Sequence, residues 1–410
     1  MNISPSFSPS IKLMKPYFLL SAIFYLLSFI TLLYVDINST FDNLFLLGWV
    51  HTYMVGFVMM AILSAMAQLG PVVTETKHFK VELFKYIWML LLSGLVLMLI
   101  GFYINITFLS AGGFLVLSAM IVYVYEFLLT LRTASRHTSI TSAMWMSNFF
   151  LIVGIVSGIV MALSFSGVLT IDANSILKTH TFGLLAGFVI LLIMGISIIL
   201  IPMFGSSKRI SDNEFKWSFY TLTLSVIFMI LSLFIYTKQL EQFSYALAIL
   251  SIVLYFYQLF FMFKSRKRIE HDIWAKYIYV GATSFIISFI LLCVYLFLGY
   301  EQILKIAMWL MLVGFFGSFI IGNLYKIIPF LVWFHIYSPL IETQSVPMLH
   351  ELVPNRLSNL QWFYNTLGLI FTTIALVVNS KTLFIGGVTL YIVSSIILLQ
   401  ITYKLLESKK

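Results

Sequence analysis

Apolar residues run along this chain in twelve stretches of membrane-spanning length, with short polar segments between them. The stretches lie at 17–35, 46–73, 86–105, 112–132, 143–167, 179–204, 217–236, 243–264, 275–298, 305–330, 361–379 and 384–404. Each is long enough to cross a hydrocarbon core of about 30 Å as a helix. The expected fold is therefore all-α: a polytopic membrane protein of twelve transmembrane helices, forming one membrane domain over 1–410. The longest expected connection, 335–360, holds Pro339, Pro347 and Pro354.

Three of the stretches share a motif. Gly56-Phe57 precedes Pro71, Gly187-Phe188 precedes Pro202 and Gly314-Phe315 precedes Pro329, each time with 15 residues from Gly to Pro. The copies stand 131 and 127 residues apart. A period of that size predicts three related units, approximately 1–137, 138–270 and 271–410, of four helices each. The motif then falls on spans 2, 6 and 10, which all run in one direction. Gly permits close helix approach. Pro removes a backbone N–H and frees the carbonyl four residues earlier, here on Ala67, Ile198 and Tyr325. Packing and helix exit account for these two residue types without a ligand.

Composition agrees with the pattern. The chain is 61% hydrophobic and 10% charged, too apolar for a soluble protein of this size. The net charge of +9 does not point to nucleic acid, because the basic residues sit in short clusters between apolar runs. The expected partner is the lipid bilayer. With the N-terminus in the cytoplasm, twenty of the 24 Lys and Arg residues fall inside. The positive-inside rule then predicts both termini cytoplasmic, in the inner cell membrane. Lys12 and Lys15 precede the first run, and no small-residue cleavage site follows it, so this run reads as a retained span. The single cysteine, Cys293, excludes a disulfide framework and a two-cysteine copper centre within the chain.

Histidines are the first candidates for chemistry. His78, His137, His271, His335 and His350 lie in or near expected cytoplasmic segments and read as solvated loop residues, although His335 closes the aromatic run Trp333-Phe334-His335. His51 and His180 open spans 2 and 6. Ionisable groups in spans are costly and usually functional, and imidazole ligates iron and copper readily. His51 stands 20 residues before its Pro and His180 stands 22 before its own, so their registers differ by about 200°. The third copy has Trp309 and Ala307 at these registers. The alternative is a pair of interfacial histidines hydrogen-bonded near the headgroups. Met54, three residues after His51, shares its helical face and could act as a thioether ligand; Met308 and Met311 sit near the outer end of span 10.

A polar path is the second candidate. Glu126 is the one carboxylate well inside a span. It either relays protons or reaches the cytoplasmic interface by snorkelling near Arg132. Gln68, Asn323 and Lys326 put polar groups near the inner ends of the motif helices, lining a cavity or bonding across helices. Walker loops, dinucleotide fingerprints, HExxH and GxSxG motifs are absent.

Twelve helices in three units of four, with His on helices 2 and 6, resemble subunit I of the haem-copper oxidases. Three segments carry the likeness: Gly48-Trp49-Val50-His51 through Gly70-Pro71, Thr179-His180 through Pro202-Met203-Phe204, and Leu324-Tyr325-Lys326-Ile327-Ile328-Pro329-Phe330 through His335. They are most similar to the divergent, NnrS-type branch of haem- and copper-containing membrane proteins. The resemblance implies that His51 matches the helix-2 haem ligand and that His180 approximates the helix-6 copper ligand. The family's His pairs on helices 7 and 10 have no counterpart here: 217–236 contains no His, and span 10 has none before His335. These departures argue against oxygen reduction of the usual kind.

The expectation is thus a haem- or copper-binding membrane protein serving respiratory electron transfer, metal handling or a nitric-oxide response, possible respiratory subunits being its partners. A multi-pass transporter using Glu126, Gln68, Asn323 and Lys326, and a non-catalytic assembly factor for a respiratory complex, remain as alternatives.

Overall fold

The computed structural model describes residues 8–134, 137–235, 237–266 and 272–407. Arg136, Lys267, Arg268, His271, Lys409 and Lys410, used above for topology or as candidates, lie outside the described residues. Among the described residues the chain is 85% helical and has no strands. Twelve helices are long and apolar enough to cross a membrane: α1 Ile11–Leu32, α2 Leu44–Thr74, α3 Val81–Tyr103, α4 Phe108–Arg132, α5 Ser139–Phe165, α6 Ile176–Gly205, α7 Asp212–Ile235, α8 Lys238–Lys264, α9 Ile273–Leu298, α10 Glu301–Leu340, α11 Asn355–Val378 and α12 Lys381–Leu406. The all-α polytopic fold expected from the sequence is the fold observed.

All twelve helices start earlier than hydropathy predicts, and at several of them a side chain caps the first turn. Asn43 Oδ1 accepts from the backbone N–H groups of Phe45 and Leu46 at 3.0 and 3.1 Å. Asp272 Oδ1 accepts from Ala275 N–H at 2.9 Å. Such caps satisfy orphan donors that the first turn leaves open. At the far end of α9, Gly299 takes a positive φ of 71°, which suits glycine. The expected helix exit at proline holds for Pro71 and Pro202, three residues from the ends of α2 and α6. It fails at Pro329, where α10 continues to Leu340 through the aromatic run. The connection that follows is correspondingly shorter than 335–360.

Each motif helix changes its winding at the repeat glycine. Thr52–Met59, Gly183–Ile190 and Leu310–Gly317 are eight-residue π-helical segments. Gly56, Gly187 and Gly314 are each the fifth residue of their segment. Each glycine also receives a side chain from the helix before it. A Cβ at Gly56 would come within 2.5 Å of Phe24 Cγ in α1. One at Gly187 would meet Phe150 Cβ in α5 at 2.8 Å, and one at Gly314 would meet Ser284 Oγ in α9 at 2.6 Å. The glycines are packing residues, as the sequence suggested.

The last two helices of each four-helix repeat form a tight hairpin built on small residues. In α3–α4, a Cβ at Gly94 would lie 2.9 Å from Gly112 O. In α7–α8, Ser225 Oγ donates to Ser244 O at 2.7 Å and Ser244 Oγ returns to Ser225 O at 2.8 Å. In α11–α12, a Cβ at Gly387 would lie 3.1 Å from Gly368 O. Small residues let backbones touch where lipid supplies no hydrophobic drive between helices.

By compactness the chain falls into two units, one containing 69–270 and the other 8–68 with 271–410. The boundary crosses α2 at Gln68. These units cut across the first repeat, leaving α1 with most of α2 in one and α3 with α4 in the other.

Candidate functional site

His51 closes the α-helical first part of α2, one residue before its π segment. The ring is half-buried, and its Nδ1 lies 2.7 Å from Leu47 O. A carbonyl only accepts, so Nδ1 carries the proton. In the neutral ring Nε2 then holds the lone pair, which is the tautomer a metal-ligating imidazole needs.

His180 reaches the same tautomer from a different place. Its Nδ1 lies 2.7 Å from Gly154 O of α5. Its ring rests on Gly158, where a Cβ would come within 2.6 Å of His180 Cε1. Two glycines one turn apart therefore form the seat of this ring. His180 stands three residues before its π segment and His51 stands one before, so the unequal registers persist. His51 and His180 belong to different compact units. Met54 is half-buried inside the first π segment, where the α-helical spacing that set it on the face of His51 no longer applies.

The third repeat places Trp309 where the first has His51. Trp309 stacks on Trp49 at 5.7 Å between centroids and donates from Nε1 to Thr372 Oγ1 at 3.1 Å. Around it lies a buried aromatic core of Tyr25, Phe29, Tyr53, Phe57 and Tyr391. Phe29 stacks on Tyr391 at 4.2 Å, and Asn365 donates from Nδ2 to Tyr25 Oη. The hydroxyls of Tyr53 and Tyr391 and the indole N–H of Trp49 are buried without a hydrogen-bond partner among the described residues.

Below this core, Gln361 of α11 is a hub that sequence reasoning missed. Its Oε1 accepts from both Tyr277 Oη and Tyr325 Oη, and its Nε2 donates to Ser394 Oγ at 2.9 Å. The signal was present in the spacing: Ser358, Gln361, Asn365, Gly368 and Thr372 recur every three or four residues and are all buried. Asn323 and Lys326 each bond to the neighbouring helix α9. Asn323 Oδ1 accepts from Trp274 Nε1 at 3.4 Å, and Asn323 Nδ2 donates to Phe319 O at 2.8 Å. Lys326 pairs with Asp272 at 2.6 Å, above the Trp274 ring. Gln68 is buried, and its Nε2 has no hydrogen-bond partner among the described residues.

Of the two positions open to Glu126, the structure shows the buried one. It does not snorkel towards Arg132; it is fully buried, the only Asp, Glu, Lys or Arg so enclosed among the described residues. Nor is His78 a solvated loop residue. Its side chain is 6% exposed, and its Nδ1 lies 2.9 Å from Glu126 Oε1. The pairing is between a loop and a helix 48 residues away, so no local spacing could announce it. Of the other histidines, His137 and His350 are exposed as expected. His335 is half-buried, with Nε2 2.9 Å from Pro9 O and 3.2 Å from Ser8 Oγ.

Among the described residues, no group of three or more His, Cys, Asp or Glu is arranged to hold a metal ion. The donor set therefore does not fit a protein-built copper centre of that kind. A haem would ask less of the protein, since it brings four equatorial nitrogens and needs only axial ligands. In comparisons with known proteins, no family model matches this chain and no curated protein sequence matches it.

Proposed function

We propose that this chain is a haem-binding integral membrane protein with an oxidase-like build, His51 being its best axial ligand and His180 a second candidate. One observation carries the reading. Both rings have Nδ1 tied to a backbone carbonyl, which leaves Nε2 as the lone-pair nitrogen in each. The π segments beside them strengthen the case, since such windings concentrate at functional sites. When bound, the haem would supply an iron centre for electron transfer or for binding a small gas such as nitric oxide. The chain's own groups would orient the ligands: Leu47 O and Gly154 O fix the two ring orientations. The Lys and Arg distribution supports cytoplasmic termini in the inner membrane. Respiratory subunits fit as partners on the strength of the family resemblance.

The test is an absorption spectrum with metal analysis on protein purified from haem-replete cells. A Soret band with stoichiometric iron is expected, lost in His51→Ala and weakened in His180→Ala. Colourless, iron-free protein would overturn the proposal.

A further inference from the structure

Away from the haem candidates, one end of the α6–α8 helices gathers basic side chains onto a tethered loop. Helix α6 stops at Gly205, and Ser206 follows it in the left-handed region with φ 50°. The loop to α7 then carries Lys208 and Arg209, both exposed. It is tied down: Lys208 N–H donates to Ser265 Oγ, just past the end of α8, at 3.1 Å. Ser265 Oγ in turn donates to Met262 O at 2.9 Å. The end of α6 packs on the same place, since a Cβ at Gly205 would meet Arg266 Nε at 2.9 Å. Lys208 and Arg209 are thereby brought beside Lys264, the exposed last residue of α8.

The acids on these helices are few and engaged. Among the described residues, helices α5 to α8 carry three: Asp212, Glu214 and Glu241. Glu241 pairs with Lys178 at 2.6 Å, at the opposite end. Asp212 accepts from Ser139 N–H at 2.7 Å and lies 3.8 Å from Lys216 Nζ. Glu214 Oε2 accepts from the N–H and the hydroxyl of Ser211 at 2.9 and 2.8 Å, closing the first turn of α7. The next residues in sequence, 267–270, hold two basic side chains and one acidic one. Whatever pairs they make, the balance at this end stays positive. Arg266 rests over the Phe263 ring at 5.6 Å, and the site argued below does not draw on it. Helix dipoles do not absorb the excess either. The C-termini of α6 and α8 are each worth about half a negative charge, against the three exposed cations Lys208, Arg209 and Lys264.

We propose that this end of α6–α8 binds an anionic phospholipid, its phosphate held by Lys208, Arg209 and Lys264. Charge complementarity sets the class of headgroup, because clustered Lys and Arg at the end of a membrane helix attract anionic lipid. The surface next to the cluster selects a lipid over a soluble acidic partner. Exposed apolar and aromatic side chains stand within about two helical turns of it: Met203 on α6, Trp217 and Tyr220 on α7, and Tyr257, Phe260 and Phe261 on α8. Lys264 Nζ lies 5.9 Å from the centre of the Phe260 ring. Cation and exposed ring thus sit together, as they do at a headgroup boundary. A soluble acidic protein would meet the cations and leave these rings uncovered, whereas one phospholipid covers both. Topology alone asks for positive charge on the inner side; it does not ask that the loop be tied to α8.

Native mass spectrometry of the full chain, released from nanodiscs of mixed phosphatidylglycerol and phosphatidylcholine, tests this. The chain is expected to retain phosphatidylglycerol in preference to phosphatidylcholine, and the preference should weaken with salt. A basic residue near a membrane surface contributes about fivefold in affinity, so Lys208→Gln with Arg209→Gln should cut the preference by about 25-fold, and Lys264→Gln by about fivefold. Lys77→Gln with Lys80→Gln removes the same charge from exposed positions between α2 and α3 and should leave the preference unchanged. Excess inorganic phosphate at matched ionic strength should leave the lipid in place; release by phosphate would assign the site to the free ion and overturn the lipid proposal. Equal loss in the two double variants would show a general attraction to basic residues, and equal retention of both lipids by the wild type would show no choice of headgroup. Either result overturns the proposal. Should the Lys208–Arg209 double variant fail to fold, Lys264→Gln at its exposed helix end carries the same test. None of these readouts depends on haem, so failure here is distinguishable from failure of the haem reading.

Discussion

Phe150 of α5 fills the space in front of Gly187 of α6, where a Cβ would lie 2.8 Å from the Phe150 Cβ. The contact is with the root of a buried ring rather than the tip of a flexible chain, so it cannot be relieved by a rotamer change alone. Gly187→Ala is expected to destabilise by about 1–3 kcal/mol, the usual cost of overpacking. Gly386 of α12 is the matched control, since nothing lies within 4 Å of a Cβ placed there. Gly386→Ala should be neutral or stabilising by up to about 1 kcal/mol, from the helix propensity of alanine alone. Thermal unfolding of the two variants in the same detergent checks both; equal midpoints would contradict the packing account.

The repeat glycines were legible in the sequence because a fixed interval survives in the chain whatever the winding between. The π segments were not. Gly56 and Gly187 look alike in an α-helix and in a π-helix, and only the backbone reveals that the motif marks a change of winding. The histidine registers were read correctly, but the tautomers depend on which carbonyl each ring meets. Leu47 is one turn from His51 and could have been guessed; Gly154 is on another helix. The partner of Glu126 was hidden for the same reason. Hydropathy locates a carboxylate along a span but does not see a loop histidine that folds back over it.

Gln361 holds two tyrosine hydroxyls with one oxygen, and all three side chains are buried. Gln361→Leu keeps a similar volume and removes that acceptor. Each hydroxyl left without a partner in the core costs about 1–3 kcal/mol. A marked drop in the unfolding temperature is expected, larger than for Thr389→Val on the exposed part of α12. Water filling the vacated site would blunt the loss, so equal effects of the two substitutions would show that the hub contributes packing only.

Asp272 has two duties that substitution can separate. Its Oδ1 caps α9 through Ala275 N–H at 2.9 Å, and its Oδ2 pairs with Lys326 at 2.6 Å. Asp272→Asn keeps an oxygen for the cap and loses the ion pair. The side chains are 30% and 23% exposed, so the pair is worth about 0.2–1 kcal/mol and weakens with salt. Asp272→Ala also loses the cap, adding about 1 kcal/mol. Unfolding midpoints should rank wild type above Asn above Ala, with the wild type and Asn variant converging at high salt. A salt-independent gap between those two would assign the Lys326 contact to packing against Trp274 instead.

His51 can be tested as a ligand separately from its place in the helix. A ligand acts through Nε2, whereas a structural histidine acts through the Nδ1 bond to Leu47 O and the volume of its ring. His51→Gly removes both and leaves a space on the half-buried face of α2 just before the π segment. Free imidazole can enter such a space and offer a nitrogen without any link to the backbone. If His51 is the axial ligand, the Soret band lost in His51→Gly returns on adding imidazole, in a saturable way, and is not restored by a non-ligating analogue such as pyrrole. The unfolding midpoint need not recover alongside, because the Leu47 tether is not rebuilt. Haem content in His51→Gly equal to wild type without imidazole would remove His51 from the site and leave His180 as the ligand to examine.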